Sequence, residues 1–142
     1  MSEAPRKYLI FTLSGRRYAF DLAQVAEVVE QPALWPIPLA PPCYHGAMNF
    51  HGTIVAVMDL ALFFNCPEGY GVEKTVVLDT RIAALAFSVE CIVRITPQGQ
   101  GELSGTAVDE PFAIGQLNLS DGQAILLDAA VIAEHAAETI NG

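Results

Sequence analysis

Short apolar runs, each cut off by glycine, proline or a small polar turn, fill the chain from Lys7 to Asp128 and set the strongest limit on its fold. A short strand buries one face and cannot stand alone, so many such runs dictate sheets that stack or curl. "KYLIFTL" and "YAFDL" flank Ser14-Gly15-Arg16 and form an expected hairpin, with Tyr8 and Ile10 on one face and Leu9, Phe11 and Leu13 on the other. "VAEVVE" (25–30) reads as a strand after a helical turn at "DLAQ", and its alternation points Val25 and Glu27 the same way. "AMNF" and "TIVAVMDL" surround His51-Gly52; a helical turn at "LALFF" and a loop at "NCPEGYGVE" follow.

"KTVVLD", "IAALAF" and "VECIVRI" are three further strands, and a glycine-rich connection is expected from Pro97 to Pro111. "FAIGQLNL" and "QAILLD" join through Ser120-Asp121-Gly122, whose Asp-Gly pair suits a tight hairpin. Only the end differs. "DAAVIAEHAAETI" places Ala129, Ile132, Ala133, Ala136 and Ile140 at helical spacing behind the N-cap residue Asp128. About nine strands and one late helix predict a mainly β fold built from antiparallel β barrels, since too few helices exist to cover a parallel sheet. No internal repeat stands out.

Five prolines between Pro32 and Pro42 remove backbone donors and fix φ, so neither helix nor central strand persists there. Only a hairpin and one strand precede this stretch, too little to bury a core. It is therefore a stiff crossover inside one domain, in keeping with the 142-residue length.

Sixteen Asp and Glu stand against seven Lys and Arg, and no basic residue follows Arg94. Without a cationic footprint, nucleic acid and anionic membrane surfaces are not expected partners. Cys43, Cys66 and Cys91 are an odd set with no CxxC pair, which reads as a reducing compartment. "MSEAPRKYLIF" lacks the basic flank, long apolar run and cleavage site of a signal peptide, and Asp59 interrupts the longest apolar stretch. A cytoplasmic location is expected.

Cys43, His45 and His51 can each bind zinc, but C-x-H-x5-H matches no common motif and lacks a nearby fourth ligand. A small metal-binding protein or metal-dependent enzyme built on these three stays as the alternative to a binding module. No GxSxG elbow, phosphate-cradling loop or HExxH occurs, and Asp59 and Asp79 end apolar strands where carboxylates cap backbone donors. No catalytic residue, cofactor or resident metal is expected. Glu27 interrupts an apolar strand and is either a solvent-facing position or part of a docking surface with its valine neighbours.

Taken in order, "YLIFTLSGRRYAFDLAQVAEVVE", the proline segment, "PPCYHGAMNFHGTIVAVMDLALFF", "VECIVRI" and "DGQAILLDAAVI" resemble the CheW family of chemotaxis coupling proteins over roughly residues 8–134. The resemblance implies one domain of two intertwined, SH3-like five-stranded β barrels with a C-terminal helix. It also implies a non-enzymatic adaptor between the cytoplasmic tips of methyl-accepting chemoreceptors and the regulatory domain of a CheA-type histidine kinase. By the family pattern, the partner-binding positions are Val25 and Glu27 of the V-x-E strand, the turn glycine Gly46, His51, Ile92 and Ile95 of the later apolar strand, and Gly115. Two positions depart from it. The family's usual Arg in N-L-R-G is His51, exchanging a permanent charged fork for a ring mostly neutral near pH 7, and the usual Arg after D-L is Ala61. These departures imply a receptor with a matching change, a specialised non-flagellar array, or a relative that binds kinase but not receptor.

Overall fold

The structure, a computed structural model, describes residues 6–30, 32–64, 74–97, 101–104 and 112–141. The strands are β1 (Lys7–Leu13), β2 (Arg16–Asp21), β3 (Val25–Glu30), β4 (Tyr44–Phe50), β5 (Thr53–Asp59), β6 (Lys74–Leu78), β7 (Leu85–Val89), β8 (Cys91–Pro97), β9 (Gly101–Ser104), β10 (Ala113–Leu119) and β11 (Gly122–Leu127). A 3-10 turn covers Leu22–Gln24, and the helices are α1 (Leu60–Phe63) and α2 (Ala129–Asn141). Among the described residues no helix is long and apolar enough to cross a membrane.

Local chemistry accounts for most boundaries. Ser14 and Gly15 both take positive φ, as do His51 and Gly52, the geometry of the tight turns that match strand twist. Asp59 accepts the Leu62 N–H at 3.2 Å, and Asp128 accepts those of Ala130 and Val131 at 3.0 and 3.3 Å. Asp79 likewise holds the Arg81 N–H at 2.9 Å, so these strand-ending carboxylates are caps, as expected.

The strands form two sheets, ordered β8-β1-β2-β11-β10-β9 and β3-β6-β7-β5-β4. Three features differ from the sequence-based expectation. Gly101–Ser104, inside the expected glycine-rich connection, is strand β9; its backbone pairs with β10, a tertiary event that its composition does not announce. Strand β7 begins at Leu85 rather than Ile82, because Asp79 O accepts from Ile82 N at 2.9 Å and spends those residues on a turn. The β2/β11 and β5/β7 pairs are parallel, not antiparallel.

Each sheet buries both faces. Leu9, Phe11, Phe20, Met58, Val76, Leu78 and Phe87 meet in a core shared by the two sheets, with Ile132 and Ala136 of α2 against it. The opposite face of the first sheet holds Tyr8, Ile10, Ala19, Leu117 and Leu126, and that of the second holds Met48, Val55, Val57, Val77 and Ala86. A second buried face with no further layer above it means that each sheet curls over its own cluster. The barrels are thus curled open sheets, closed by side chains rather than by a continuous ladder among the described residues.

The topology also reveals a tandem repeat that the residues alone hide. Hairpin, edge strand, hairpin and helix occur as β1-β2, β3, β4-β5, α1 and again as β6-β7, β8, β10-β11, α2. Lys7, Phe20 and Val25 correspond to Lys74, Phe87 and Ile92 at a spacing of 67, while Gly46 and Asp59 correspond to Gly115 and Asp128 at 69. Registers agree throughout: Leu9 faces Phe20 as Val76 faces Phe87, and Met58 faces Phe87 as Leu127 faces Phe20. Each repeat gives its first hairpin to the other repeat's sheet, which is what intertwines the halves.

Candidate partner-binding surfaces

Val25 and Glu27 lie on β3, an edge strand of the second sheet. Val25 pairs with Leu78 but Glu27 with Val77, leaving Ala26 as a bulged extra residue. The bulge reverses the parity expected from alternation. Val25 joins the shared core with Leu78, whereas Glu27 turns to the face of Val77 and stays exposed.

His51 stands in the β4–β5 turn with its Nε2 3.7 Å from Glu27 Oε1, and its side chain is 74% exposed. Strands β3 and β4 are the two opposite edges of this sheet, so the contact spans the seam and shows how far the sheet curls. Gly46 has a φ of +151, and a Cβ there would sit 2.5 Å from the backbone oxygen of Trp35. The proline crossover approaches that closely because Trp35 and Ala47 exchange N–H···O bonds of 2.8 and 2.7 Å. Trp35, Leu34 and Leu39 remain exposed on the crossover.

Ile92 and Ile95 lie on β8, an edge of the first sheet, facing Phe11 and Leu9 respectively. Val93 is bulged between them and their neighbours, so both isoleucines turn toward the shared-core side; Ile92 is half-buried and Ile95 is 51% exposed. Gly115 repeats the situation of Gly46, since a Cβ there would meet the Ser104 oxygen of β9 at 2.6 Å. The seven residues therefore form two sets, Val25, Glu27, Gly46 and His51 on one sheet and Ile92, Ile95 and Gly115 on the other. The tandem repeat makes Val25 and Ile92 equivalent, and Gly46 and Gly115. Both glycines have a packing reason to be glycine.

The possible zinc ligands do not converge. His45 Nε2 lies 3.3 Å from Asp59 Oδ2, while His51 turns to Glu27. Burial pushes the Cys43 thiol up, away from the thiolate a metal requires, and the Cys43 carbonyl accepts from Asp59 N at 2.7 Å. Among the described residues no group of three His, Cys, Asp or Glu could hold an ion. Cys66 lies outside the described residues.

One polar cluster had no signal in the sequence. Asp121, in the β10–β11 turn, takes Arg94 through bonds of 2.7 and 3.0 Å and Arg17 at 3.0 Å. Arg17 reaches Asp121 because β2 runs beside β11, whereas Arg94, on the β8 edge three strands away from β11, reaches it because the first sheet curls. Arg94 occupies the repeat position of Glu27, and Asp121 that of Gly52, next to His51. Each half therefore brings an acid and a nitrogen base together across its seam, a guanidinium bonded to Asp121 in the first sheet and an imidazole 3.7 Å from Glu27 in the second, with the positions of acid and base exchanged. Hydrogen bonds from Arg94, then Arg17, hold the Asp121 carboxyl well below the usual carboxylate range.

The sign of its pH dependence follows. A carboxyl whose folded pKa is depressed stabilises fully above its unfolded value of about 3.9 and progressively loses that contribution as pH falls toward the folded pKa. Asp121→Asn is expected to lower Tm at pH 7, with a gap that narrows below about pH 3.9 and also in high salt, because the cluster is exposed and screened. Thermal scans from pH 7 to 3 check this; a gap constant over that range would contradict the latch.

Comparison with known proteins adds the lineage. Residues 7–137 match the CheW-like domain. The chain is 25% identical over 121 residues to the chemotaxis protein CheW of Thermotoga maritima, covering 83% of this chain and 80% of the relative. Its fold superposes on the crystal structure of the scaffolding protein TtCheW from Thermoanaerobacter tengcongensis with a TM-score of 0.74 at 22% identity, covering 88% of this chain and 90% of the other. With the curled sheets, the late helix and a match over nearly its whole length, this chain belongs to the CheW-like domain family.

Proposed function

We propose that the protein is a cytoplasmic chemosensory adaptor that joins the regulatory domain of a CheA-type histidine kinase to the cytoplasmic tip of a methyl-accepting chemoreceptor. The observation that carries this reading is the pairing of family membership with two equivalent edge surfaces, β3 and β8, one on each sheet. An adaptor needs two places to be held. The duplicated architecture supplies a bulged edge strand in each half, with apolar groups such as Ile95 beside polar latches that set orientation.

Calorimetry against the cognate kinase regulatory domain tests the first arm. Wild-type protein should bind, and Ile95→Glu should weaken binding at least about tenfold, the scale of one interface anchor, with little change in Tm because Ile95 is half exposed. Failure of the wild type to bind would overturn the reading.

The second arm rests on His51. Its ring lies beside Phe50 and 3.7 Å from the Glu27 carboxylate and is largely exposed, so a permanent charge at this position would also be within reach of acidic groups of a partner. His51→Arg is expected to tighten receptor-tip binding by about threefold to tenfold, the range of a modest charged contact, with the fold unchanged. An unaltered receptor affinity would speak against a role for charge at this turn.

A further inference from the structure

The two repeats differ in chemistry at one matched place on their surfaces. On β4 and β5, Ala47 pairs with Ala56 and Asn49 with Ile54, while Trp35 of the crossover bridges to Ala47, so these side chains share one face. Further along β5 that face holds Met58 and joins the shared core. Beyond Ala56 the core no longer covers it: Ile54 is 64% exposed and Trp35 56%. The same crossover carries Leu39, fully exposed at a turn closed by Ala40 N–H donating to Ile37 O at 3.3 Å. Leu39 has a φ of +60 at the third position of that turn, where glycine or asparagine is favoured.

The first sheet shows that the fold does not require an apolar face here. At the repeat spacing of 69, Trp35, Ala47, Asn49 and Ile54 correspond to Ser104, Gln116, Asn118 and Gln123, in the same pairing register. There the face is polar, and Gln116 and Gln123 each donate through Nε2 to Asn118 Oδ1 at 3.2 Å. In the second sheet Asn49 Oδ1 accepts from Gly52 N at 2.8 Å inside the turn, which leaves hydrocarbon and indole to make the surface. Charge is absent as well. From 31 to 58 the chain carries no Asp, Glu, Lys or Arg, although its net charge is -9. The turn preceding Ala84, whose carbonyl accepts from Ala56 N, closes its own charges in the Asp79–Arg81 pair. Apolar groups left in water at this one place, against polar ones at its counterpart, mark a surface made to be covered.

We propose that this face joins two copies of the chain about a two-fold axis, with Trp35 of each protomer packed on Ile54 of the partner subunit. Charge selects a second copy as the occupant. Two chains of net charge -9 repel wherever their acids meet, and the crossover and the contact strands up to Met58 carry none. A partner recognised by charge gains nothing from an uncharged face, whereas one apolar patch brought against itself is self-complementary. Trp35 supplies the kind of aromatic anchor on which such contacts depend. The patch is small, so the dimer is weak and reversible. The inference goes beyond the kinase and receptor reading and does not depend on it, because it rests on the β4–β5 face and the crossover and not on the β3 or β8 edge.

The test is sedimentation velocity of the full chain together with the emission of Trp35, its single tryptophan, over concentrations from about 1 to 500 μM. The expected result is a monomer–dimer equilibrium with Kd on the order of 100 μM and a blue shift of Trp35 that follows the same isotherm. Association should tighten at high salt, which screens the mutual repulsion. Ile54→Gln installs the residue that the first sheet carries at the matched place, so the fold tolerates it. It should raise Kd at least about tenfold and suppress the blue shift, with little change in Tm. Ala47→Gln, chosen in the same way, repeats the test whatever the folding of the first variant. Leu103→Gln, at an exposed apolar position of the first sheet, should alter neither signal. A chain that stays monomeric throughout, species larger than a dimer, association untouched by both second-sheet variants, an equal loss from Leu103→Gln, or a Trp35 blue shift produced only by a kinase regulatory domain would overturn the proposal.

Discussion

Phe20→Ala is expected to lower the unfolding free energy by about 3–5 kcal/mol, the usual range for deleting a large buried aromatic. Phe20 is fully buried on β2 of the first sheet, and its ring lies 4.9 Å from Phe11 and 5.7 Å, stacked, from Phe87 on β7 of the second. Its repeat partner is Phe87 itself, so the two equivalent rings meet at the boundary between the halves. Removing one therefore opens a cavity in the shared core instead of inside one curled sheet. Urea unfolding followed by Trp35 fluorescence, which reports on the second sheet, and by far-ultraviolet circular dichroism checks both size and cooperativity. The two probes should trace one transition shifted to lower urea, since exchanged hairpins prevent either sheet from forming alone. Separate midpoints for the two signals, or a loss below about 1 kcal/mol, would contradict a single folding unit with this core.

Gly46→Ala carries the second largest expected effect, a loss of about 2–4 kcal/mol from strain at a positive φ added to a backbone collision. Gly115→Ala should cost less. Its Cβ would meet the Ser104 oxygen at a similar 2.6 Å, but it does not lie in the positive-φ region, and β9 is an edge strand with room to shift. At Gly46 the obstructing atom belongs to the Trp35 bridge, anchored by two hydrogen bonds and set among prolines that resist moving. Chemical denaturation of both variants gives the comparison. Equal costs, or a larger cost at Gly115, would show that the crossover yields as readily as the β9 edge. Because Gly46 and Gly115 were read from the family pattern as contact positions, a partner-binding defect in either variant has to be judged at matched folded fraction.

Much of the fold was legible because its signals are local. The Ser14-Gly15 and His51-Gly52 turns, the Asp59 and Asp128 caps and the helix after Asp128 depend on residues a few positions apart, and each stands where expected. The mutual arrangement of side chains from distant or bulged positions was not legible in this way. Alternation places Val25 and Glu27 together, but one bulged residue, Ala26, separates their directions. Cys43, His45 and His51 lie in one short run whose spacing fits no common metal motif, and in the structure His45 lies beside Asp59 and His51 beside Glu27. Arg94, Asp121 and Arg17 have no common motif: Arg17 meets Asp121 through the β2/β11 pairing and Arg94 meets it across the curled sheet.

The repeat illustrates the same boundary. Residues 7–30 and 74–97 align without a gap, but only Lys7, Ala19 and Phe20 are matched by identical residues, at Lys74, Ala86 and Phe87. What persists is register, bulge position and the strand that each hairpin joins, none of which requires particular side chains. By itself the amino-acid order determined which segments extend, where they turn, where helices start and that no strong cation footprint exists, since these follow from φ preferences, local hydrogen bonds and net charge. Only the tertiary structure decided that hairpins are exchanged between halves, that Gly46 faces the crossover and Gly115 the β9 strand, and that Arg94 and Asp121 close one seam while His51 approaches Glu27 across the other. Those outcomes depend on which distant backbones run side by side, and the choice is made by burying both faces of every sheet at once.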